Sequence, residues 1–341
     1  MFYSLYKSCI RPIIFKFNPE TAHNMIMGQM RFMSKSKLLT AMISQNVASK
    51  PVKVMGIDFP NPVGLAAGLD KDGEAIDAFG ALGFGFIEVG TVTPKPQPGN
   101  DKPRLFRIIP KKAIINRMGF NNHGVDNLVE NIKKSRYKGV LGVNIGKNKV
   151  TPIEKSVDDY LYCFDKVYEY ASYVTINISS PNTPNLRSLQ LGEALEELVM
   201  ALKKRQSELS EKFGKYVPLA VKIAPDLTDE EVEGICNIFL KHKVDGIIAT
   251  NTTIARDEVK DFKNGLETGG LSGQPVFQKS TEVLKKINQI VDGRIPIIGV
   301  GGVDSLEKAQ EKFKNGAELI QIYTGFIYEG PKLIQKIVNY L

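Results

Sequence analysis

Short apolar runs separated by helical stretches make up most of the chain after Pro51. There are eight such runs, at residues 62–66, 86–89, 140–144, 173–176, 219–223, 246–250, 295–299 and 319–323. This alternation indicates repeated βα units and a parallel sheet. Eight units predict an α/β fold of the (β/α)8 TIM-barrel type. Thr228 and Ser305, which are N-cap signals, mark the expected starts of two connecting helices.

The first 45 residues follow a different pattern, in which apolar residues recur at helical spacing. Pro12 is expected to kink or interrupt a first helix, because proline lacks the backbone N–H that a helix interior uses. Asn18 and Pro19 predict the start of a second helix, as its N-cap and its first residue. The sequence thus predicts two short amphipathic helices ahead of the barrel.

Charge and methionine content suggest a role for this extension. It holds six basic residues against one acidic residue, Glu20, so it carries most of the chain's net charge of +8. Methionines, whose flexible thioethers suit an adaptable apolar surface, crowd the stretch from Met25 to Met42. Basic residues beside an apolar face suit an anionic bilayer. We therefore expect residues 1–45 to lie on a membrane surface and residues 46–341 to form the barrel. The alternative is a helical hairpin packed wholly on the barrel.

Composition limits the other classes of function. The 341 residues suit one large barrel with an appendage, and no apolar run approaches the roughly 20 residues of a membrane-spanning helix. Cys9, Cys163 and Cys236 show no metal-ligand spacing and fit a reducing compartment, so neither a metal site nor disulfides are expected. No nucleic-acid motif is present, and nucleic acid is not an expected partner. Without a transit-type leader, we expect a peripheral protein on the cytoplasmic side of a bacterial inner membrane.

Polar residues follow nearly every predicted strand, at the end of a barrel where chemistry takes place. The fourth run leads into Asn177-Ile-Ser-Ser-Pro-Asn-Thr183, whose amides offer donors and acceptors and whose proline stiffens the loop. This loop suits a planar, hydrogen-bonding ligand, although a simple turn also explains it. The other runs contribute Lys71, Thr91, Asn144, Lys222, Thr250-Asn-Thr252, Tyr323 and Thr324. Polar residues in register at so many strand ends favour a binding site over packing.

A phosphate cradle is predicted from the glycines after the seventh strand and the Tyr-Thr-Gly sequence after the eighth, where bare backbone N–H groups meet an anion. No complete G-x-G-x-x-G motif follows a predicted strand, so a mononucleotide cofactor or a phosphorylated substrate is favoured over a Rossmann-bound dinucleotide. Lys222 lies in an otherwise apolar run and must face the barrel mouth or be paired, because an unpaired buried ammonium is costly. It is either a Schiff-base lysine or a fixed cation beside an electron-rich ring.

Five motifs together resemble the dihydroorotate dehydrogenases. They are Ala66-Ala-Gly-Leu-Asp-Lys71, Gly90-Thr-Val-Thr-Pro-Lys-Pro-Gln97, Asn116-Arg-Met-Gly-Phe120, Asn177-Ile-Ser-Ser-Pro-Asn-Thr183 and Ile298-Gly-Val-Gly-Gly302. Ser180 and the extension with Asn18-Pro-Glu-Thr-Ala-His23 resemble the membrane-associated, quinone-reducing class of this family. The resemblance implies oxidation of (S)-dihydroorotate to orotate in pyrimidine biosynthesis. It also implies one FMN per chain as the hydride acceptor and a membrane quinone as the final electron acceptor.

The same resemblance assigns roles to residues of this chain. Ser180 would remove the C5 proton of the substrate while the C6 hydride passes to the flavin. Substrate would contact Lys71, Asn116, Arg117, Met118, Gly119, Phe120, Asn177, Asn182, Asn251 and Thr252. Flavin would contact Ala67, Gly68, Lys71, Thr91, Asn144, Asn177, Lys222, Thr250, Gly273, Gly302, Tyr323 and Thr324. His23 and Arg107 would line the quinone entrance. Lys222 would stabilise negative charge on the reduced flavin ring.

Two other functions are compatible with the sequence. An aldolase or isomerase acting on a phosphorylated substrate would use Lys222 as a Schiff-base nucleophile, but it leaves the asparagines unexplained. A non-catalytic, membrane-peripheral barrel would bind a ligand without turning it over. We expect the chain to act as a monomer.

Overall fold

A closed barrel of eight parallel strands forms the body of the computed structural model, which describes residues 6–341. The strands in this part are β1 (Val52–Val54), β2 (Ile57–Phe59), β3 (Val63–Leu65), β4 (Phe86–Val92), β5 (Leu105–Ile108), β6 (Ala113–Asn116), β7 (Val140–Ile145), β8 (Tyr173–Asn177), β9 (Leu219–Ile223), β10 (Gly246–Ala249), β11 (Gly270–Gly273), β12 (Ile297–Val300) and β13 (Leu319–Ile322).

The helices alternate with the barrel strands and also precede them. They are α1 (Arg11–Ile14), α2 (Pro19–Met33), α3 (Lys37–Met42), α4 (Ile76–Ala81), α5 (Val125–Lys134), α6 (Ser156–Val167), α7 (Gly192–Phe213), α8 (Asp229–Lys241), α9 (Phe277–Val291), α10 (Leu306–Lys314), α11 (Thr324–Glu329) and α12 (Lys332–Tyr340). A π-helical turn (Tyr6–Ile10) precedes α1, and 3₁₀ turns lie at Ile109–Lys111, Ile153–Lys155, Leu186–Gln190 and Gln274–Val276.

The barrel closes in the order β3-β4-β7-β8-β9-β10-β12-β13. Each predicted apolar run forms one of these strands, so the predicted TIM barrel is confirmed. All residues of the eight strands are buried. Burial on both faces explains why the runs are continuously apolar rather than alternating. Because the strands are parallel, all their carboxyl ends lie at one mouth of the barrel.

Two small antiparallel sheets were not predicted. The hairpin of β1 and β2 packs at the amino-terminal end of the barrel, where the rings of Phe59 and Phe86 lie 5.2 Å apart between centroids. A second sheet, ordered β11-β6-β5, lies beside the barrel mouth. Its strands are four residues long, and β6 pairs with β11 from far along the chain. Local periodicity cannot reveal such short strands, whose pairing is set by distant partners.

The second helix of the extension, α2, begins where the sequence indicated, and a third helix that was not predicted, α3, follows it. Asn18 caps α2 by accepting a hydrogen bond from the N–H of Glu20 at 3.0 Å, and Pro19 is the first helical residue. Pro12 lies in the first turn of α1, where the π-helical turn passes directly into α-helix, so the helical backbone changes type beside Pro12 without being broken. The predicted start of the first helix, before Tyr6, lies outside the described residues. Within the described residues, no helix has the length and apolar character needed to cross a membrane.

One side of the extension packs on the barrel, and the other is open. Met27 is buried in the main hydrophobic core. Large apolar side chains on the opposite side are exposed, namely Ile13, Phe17, Met25, Phe32, Leu38 and Met42. Hydrophobic residues clustered on one exposed side of a protein commonly mark an interaction surface.

A buried ion pair fastens α2 to the barrel. The guanidinium of Arg104 donates from Nη2 to Glu20 Oε1 at 2.8 Å and from Nε to the same oxygen at 3.2 Å. Both residues are buried, with 8% of Glu20 and 6% of Arg104 exposed. Burial of Glu20 acts to raise its pKa, but the hydrogen bonds and charge of Arg104, together with those of Lys102, outweigh burial and leave the pKa below its ordinary value.

Replacing Glu20 by alanine is expected to lower the free energy of unfolding by about 3 kcal/mol, because it leaves the buried Arg104 charge without its partner. Urea denaturation of the wild type and the variant measures this loss. Glu208→Ala is the control, since Glu208 forms an exposed ion pair with Arg205 and should cost less than about 1 kcal/mol. Equal losses for the two variants would show that the Glu20 pair does not anchor the helix.

Candidate active site

A cavity opens at the mouth of the barrel, where the eight strands end. Residues at or just beyond the carboxyl ends of β3, β4, β8, β10, β12 and β13 all contribute to its wall. The lining residues are Ala66, Ala67, Gly68, Lys71, Thr91, Asn116, Met118, Gly119, Phe120, Asn177, Ser180, Pro181, Asn182, Lys222, Thr250, Asn251, Thr252, Ser272, Gly273, Val276, Val300, Gly301, Gly302, Val303, Gln321, Ile322, Tyr323, Thr324 and Gly325.

A chain of hydrogen bonds runs from this cavity into the barrel. Asn177 Nδ2 donates to Thr91 Oγ1 at 2.9 Å, and the Thr91 hydroxyl donates to Asn144 Oδ1 at 2.6 Å. Asn144 Nδ2 in turn donates to Glu88 Oε1 at 2.8 Å. These four residues are buried. The network orients the amide of Asn177 and the hydroxyl of Thr91 at the cavity wall, so that they present a fixed polar pattern to a ligand.

A second group of amides also lines the cavity. Asn182 Nδ2 donates to Asn116 Oδ1 at 3.2 Å, and Asn251 Nδ2 donates to Ser179 Oγ at 3.0 Å. The backbone N–H of Asn182 donates to Ser180 Oγ at 3.2 Å, which holds this hydroxyl at the cavity wall. The cavity wall thus offers several hydrogen-bond donors and acceptors, as a flat ring with several amide groups would require.

Two lysines bring positive charge to the same cavity. Burial lowers the pKa of Lys71 to about 8, an effect that nearby Asp72 opposes. Burial also lowers the pKa of Lys222, and Glu88 opposes this change. Neither ammonium forms an ion pair within the part of the chain that the structure describes. Two largely desolvated cations without carboxylate partners favour an anionic ligand.

One end of the cavity is built to receive an anion. Gly302 has φ of +74°, and a Cβ at this position would lie 2.9 Å from the backbone nitrogen of Phe277. Only glycine therefore lets the loop pass this close to the first residue of α9. The positive end of the α9 dipole points to this loop. Across the same end, the Thr324 hydroxyl donates to Ser272 Oγ at 2.8 Å. Glycine backbone, a helix start and hydroxyls are typical of a phosphate site.

A second, apolar cavity lies between the extension and the barrel. It is lined mainly by aliphatic and aromatic side chains, of which α2 contributes the largest share, with His23 and Arg107 among the polar exceptions. Burial, together with the charge of Lys71, lowers the pKa of His23 to about 3, so this imidazole is neutral at ordinary pH. Arg107 stacks over the Phe15 ring at 4.4 Å and donates to the carbonyl of Phe17 at 3.0 Å. Tyr323 lines both cavities, which places them back to back.

The structure brings most of the sequence-predicted site residues together. Those at the wall of the polar cavity are Ala67, Gly68, Lys71, Thr91, Asn116, Met118, Gly119, Phe120, Asn177, Ser180, Asn182, Lys222, Thr250, Asn251, Thr252, Gly273, Gly302, Tyr323 and Thr324. Asn144 lies one layer deeper, behind Thr91 and Asn177. Arg117 does not line the cavity, because its guanidinium pairs with Glu267 at 2.7 Å and lies over the Phe106 ring.

Glu88 and Gln321 are site residues that sequence reasoning missed. Glu88 is fully buried in β4 and also accepts hydrogen bonds from Tyr173 Oη at 2.9 Å and from Gln321 Nε2 at 2.6 Å. A single carboxylate inside an apolar strand is the same signal that drew attention to Lys222. The described residues contain no group of three or more His, Cys, Asp or Glu side chains that could hold a metal ion.

The fold and the site define a TIM-barrel protein with a polar, lysine-containing cavity at the barrel mouth and an apolar cavity next to it. Residues 49–341 match a family model described as dihydroorotate dehydrogenase. The chain belongs to the dihydroorotate dehydrogenase family. This membership confirms the resemblance seen in the sequence motifs.

Individual relatives match over nearly their whole length. The chain is 60% identical over 326 residues to a dihydroorotate dehydrogenase (quinone) of Aliivibrio fischeri strain MJ11, covering 96% of this chain and 97% of the relative. It is 58% identical over 337 residues to a dihydroorotate dehydrogenase (quinone) of Serratia proteamaculans, covering 99% and 100%. The crystal structure of the Eimeria tenella enzyme in complex with ferulenol aligns with a TM-score of 0.87 and 37% identity, covering 96% of this chain and 93% of that one.

Proposed function

We propose that this chain is a quinone-dependent dihydroorotate dehydrogenase. It oxidises (S)-dihydroorotate to orotate in de novo pyrimidine biosynthesis, with FMN as the hydride acceptor and a membrane quinone as the final electron acceptor. The observation that carries the proposal is the pair of cavities that share Tyr323, one polar and cationic and the other apolar. Both half-reactions need such neighbouring sites, since electrons from a polar substrate must reach a hydrophobic acceptor. Family membership supports the same assignment.

The residues present fit FMN. The Gly301–Gly302 loop, the start of α9 and Thr324 would hold the phosphate, because together they offer backbone and hydroxyl donors to an anion. Thr91, Asn144 and Asn177 would hold the polar edge of the ring system. Lys222 would lie close enough to the ring to stabilise negative charge on it. When bound, FMN supplies the acceptor for the hydride that leaves C6 of the substrate.

Orotate is a flat ring with two amide groups and one carboxylate, and the remaining polar groups of the cavity complement it. Asn116, Asn177, Asn182 and Asn251 would bind the ring amides, with Thr252 beside them. Lys71 would pair with the carboxylate, because its ammonium has no acidic partner of its own in the described chain. Met118, Gly119 and Phe120 would close the cavity over the substrate and exclude water.

Ser180 is proposed as the catalytic base. Its Oγ lies at the cavity wall and accepts a hydrogen bond from the N–H of Asn182, which orients a lone pair away from that bond and toward the ligand space. The C5 proton would pass to this oxygen while the C5–H electron pair forms the C5=C6 double bond and a hydride leaves C6. For Oγ to accept that proton, its own hydroxyl proton must leave toward solvent.

The extension, residues 1–45, would form the quinone entrance and rest on the membrane, and residues 46–341 would form the FMN-binding barrel. Apolar side chains exposed on the extension, such as Phe32, Leu38 and Met42, would enter the lipid interface. Nearby basic residues would favour an anionic leaflet. His23 and Arg107 would border the path of the quinone. This arrangement suits a peripheral monomer on the cytoplasmic side of an inner membrane.

An anaerobic absorbance spectrum tests the proposed function directly. We expect the purified protein to be yellow, to bleach on addition of dihydroorotate, and to regain its colour on addition of a short-chain quinone. A flavin that dihydroorotate cannot bleach would remove the first half-reaction. Normal bleaching without recovery would remove the quinone half-reaction and with it the role of the apolar cavity.

Orotate affinity is expected to fall as the pH rises through about 8. The pKa of Lys71 is lowered to about 8, and orotate binds best to its charged form, so affinity is full below this pH and is lost above it. Titration of orotate against the flavin absorbance between pH 6.5 and 9.5 measures the effect. Lys71→Met should bind orotate weakly and without this pH dependence. A flat profile in the wild type would show that Lys71 does not pair with the carboxylate.

A further inference from the structure

One lysine outside the cavity wall has no assigned role, and its burial is unusual. Lys312, on α10, is fully buried at 0% exposure. It forms no ion pair in the described part of the chain, although Lys308 on the same helix pairs with Asp304 at 2.9 Å. Burial lowers the pKa of Lys312 to about 7, an effect that the charge of the neighbouring Glu311 opposes. An ammonium held this way is costly unless a negative charge compensates it.

The ammonium of Lys312 lies directly behind the proposed phosphate cradle. Its Nζ donates to Ser280 Oγ at 2.7 Å and contacts the carbonyl of Val300 at 3.5 Å. Ser280 Oγ lies 3.0 Å from the carbonyl of Phe277 and 3.3 Å from the carbonyl of Gly301, so its one hydroxyl hydrogen is shared between them, and a Cβ on Gly301 would lie 2.6 Å from this oxygen. A single hydroxyl therefore separates the buried ammonium from the glycine loop.

The other contacts of Lys312 lead to the same place. Its side chain runs along β12, where a Cβ on Gly299 would lie 3.4 Å from Cδ, so its ammonium is carried toward the carboxyl end of that strand. The ammonium lies 5.3 Å from the ring of Phe277, the first residue of α9. The start of α9, the glycine loop and the ammonium of Lys312 thus lie together at the proposed phosphate cradle. Each of them favours a negative charge in the cradle.

We propose that Lys312 is the buried countercharge of the FMN phosphate, a positioning residue that acts from behind the cradle through Ser280 and the Gly301–Gly302 loop. The inference rests on the proposed binding of FMN. The inference adds a cation to that proposed site. Backbone and hydroxyl donors alone would leave a phosphate dianion without a nearby positive charge, and Lys312 would remain without a negative one. Solvent screens buried charges only weakly, so the attraction between the Lys312 ammonium and the phosphate would act across the protein layer that separates them.

A purely structural role for Lys312 makes a different prediction. In that case the lysine only ties α10 to α9 and β12 by its hydrogen bonds, and its loss would weaken all ligands of the barrel equally. FMN and riboflavin separate the two possibilities, since they share the ring system and differ by the phosphate.

The experiment compares the dissociation constants of FMN and riboflavin for apoprotein prepared from the wild type, Lys312→Gln and Lys312→Met. Glutamine keeps a donor for Ser280 Oγ but removes the charge, and it carries the test if the methionine variant does not fold. We expect the dissociation constant of FMN to rise about tenfold or more in each folded variant, as loss of a buried charge interaction predicts. The dissociation constant of riboflavin should change less than about twofold, because riboflavin carries no charge for Lys312 to attract.

Lys147→Gln is the matched control. Lys147 is also buried, at 2% exposure, but its Nζ donates to the carbonyls of Asn148 and Thr151 and does not approach the cradle. Its substitution should leave the ratio of the two dissociation constants unchanged. Equal weakening of FMN and riboflavin in the Lys312 variants, or no weakening of either, would overturn the proposal. A wild-type protein that binds neither compound would instead refute the proposed function.

Discussion

Replacing Ser180 by alanine is expected to slow the reduction of the flavin by dihydroorotate by about 10²–10⁴-fold, the range that a positioned general base contributes. Ser180 Oγ is the hydroxyl of the Asn177–Thr183 loop that lines the cavity and is held there by the N–H of Asn182. Alanine removes this oxygen without adding bulk. Anaerobic stopped-flow absorbance, which follows bleaching of the flavin in a single turnover, measures the rate.

Ser188→Ala provides the control for this experiment. Ser188 lies in the same loop region but is exposed and bonds only to the carbonyl of Asn185. In the Ser188→Ala variant, dihydroorotate should reduce the flavin at the wild-type rate. FMN content and orotate affinity should stay near wild type in Ser180→Ala, because the lost hydroxyl is proposed to remove the C5 proton and not to hold either ligand. A Ser180→Ala variant that bleaches as fast as the wild type would show that another group accepts the C5 proton.

Lys222→Met is expected to slow flavin reduction by about 10²–10³-fold, the effect of removing one preorganised group that stabilises developing charge. Lys222 lines the cavity at 6% exposure, and Glu88 is the carboxylate that favours its charged state. Without the cation, negative charge on the reduced ring loses its nearest compensation. The midpoint potential of bound FMN should therefore become more negative. Stopped-flow bleaching and a reductive titration with a reference dye measure the two quantities.

The control for Lys222 is Lys147→Met, which removes another buried ammonium at a place that does not line the cavity. It should leave the potential of FMN unchanged. An aldolase or isomerase would require Lys222 to form a covalent bond with its substrate, and family membership argues against that alternative. A Lys222→Met variant with an unchanged potential would show that the lysine does not act on the flavin electrostatically.

The barrel could be predicted because its information is local. Eight apolar runs, each buried on both faces, are visible as continuous hydrophobic segments, and caps such as Thr228 mark the helices between them. The structure contains a complete capping box at Thr228 and Glu231. The sheet of β5, β6 and β11 escaped prediction, since its strands are short and β11 lies more than 150 residues beyond β6. Pairing at that range depends on the assembled barrel.

Some features of the candidate site could likewise be predicted from the sequence, and others depended on the tertiary structure. Polar residues at strand ends could be recognised from the sequence, because a parallel barrel brings all carboxyl ends of its strands to one mouth. The direction in which each side chain points could not be recognised from the sequence. Arg117 belongs to a motif that matches the family, yet its guanidinium turns to Glu267. Glu88 stands in an apolar run, yet it accepts hydrogen bonds from residues 85 and 233 positions away.

The sequence by itself determined the fold class, the polar barrel mouth and the amphipathic extension, because periodicity, caps and turn residues act over a few neighbouring positions. Tertiary structure decided which groups meet. Only closure of the barrel joins Glu88 to Tyr173 and Gln321, and only the packing of α10 on α9 carries Lys312 to the back of the glycine loop. These contacts depend on strand register and helix packing, which are settled by burying the whole core at once rather than by any local stretch of chain.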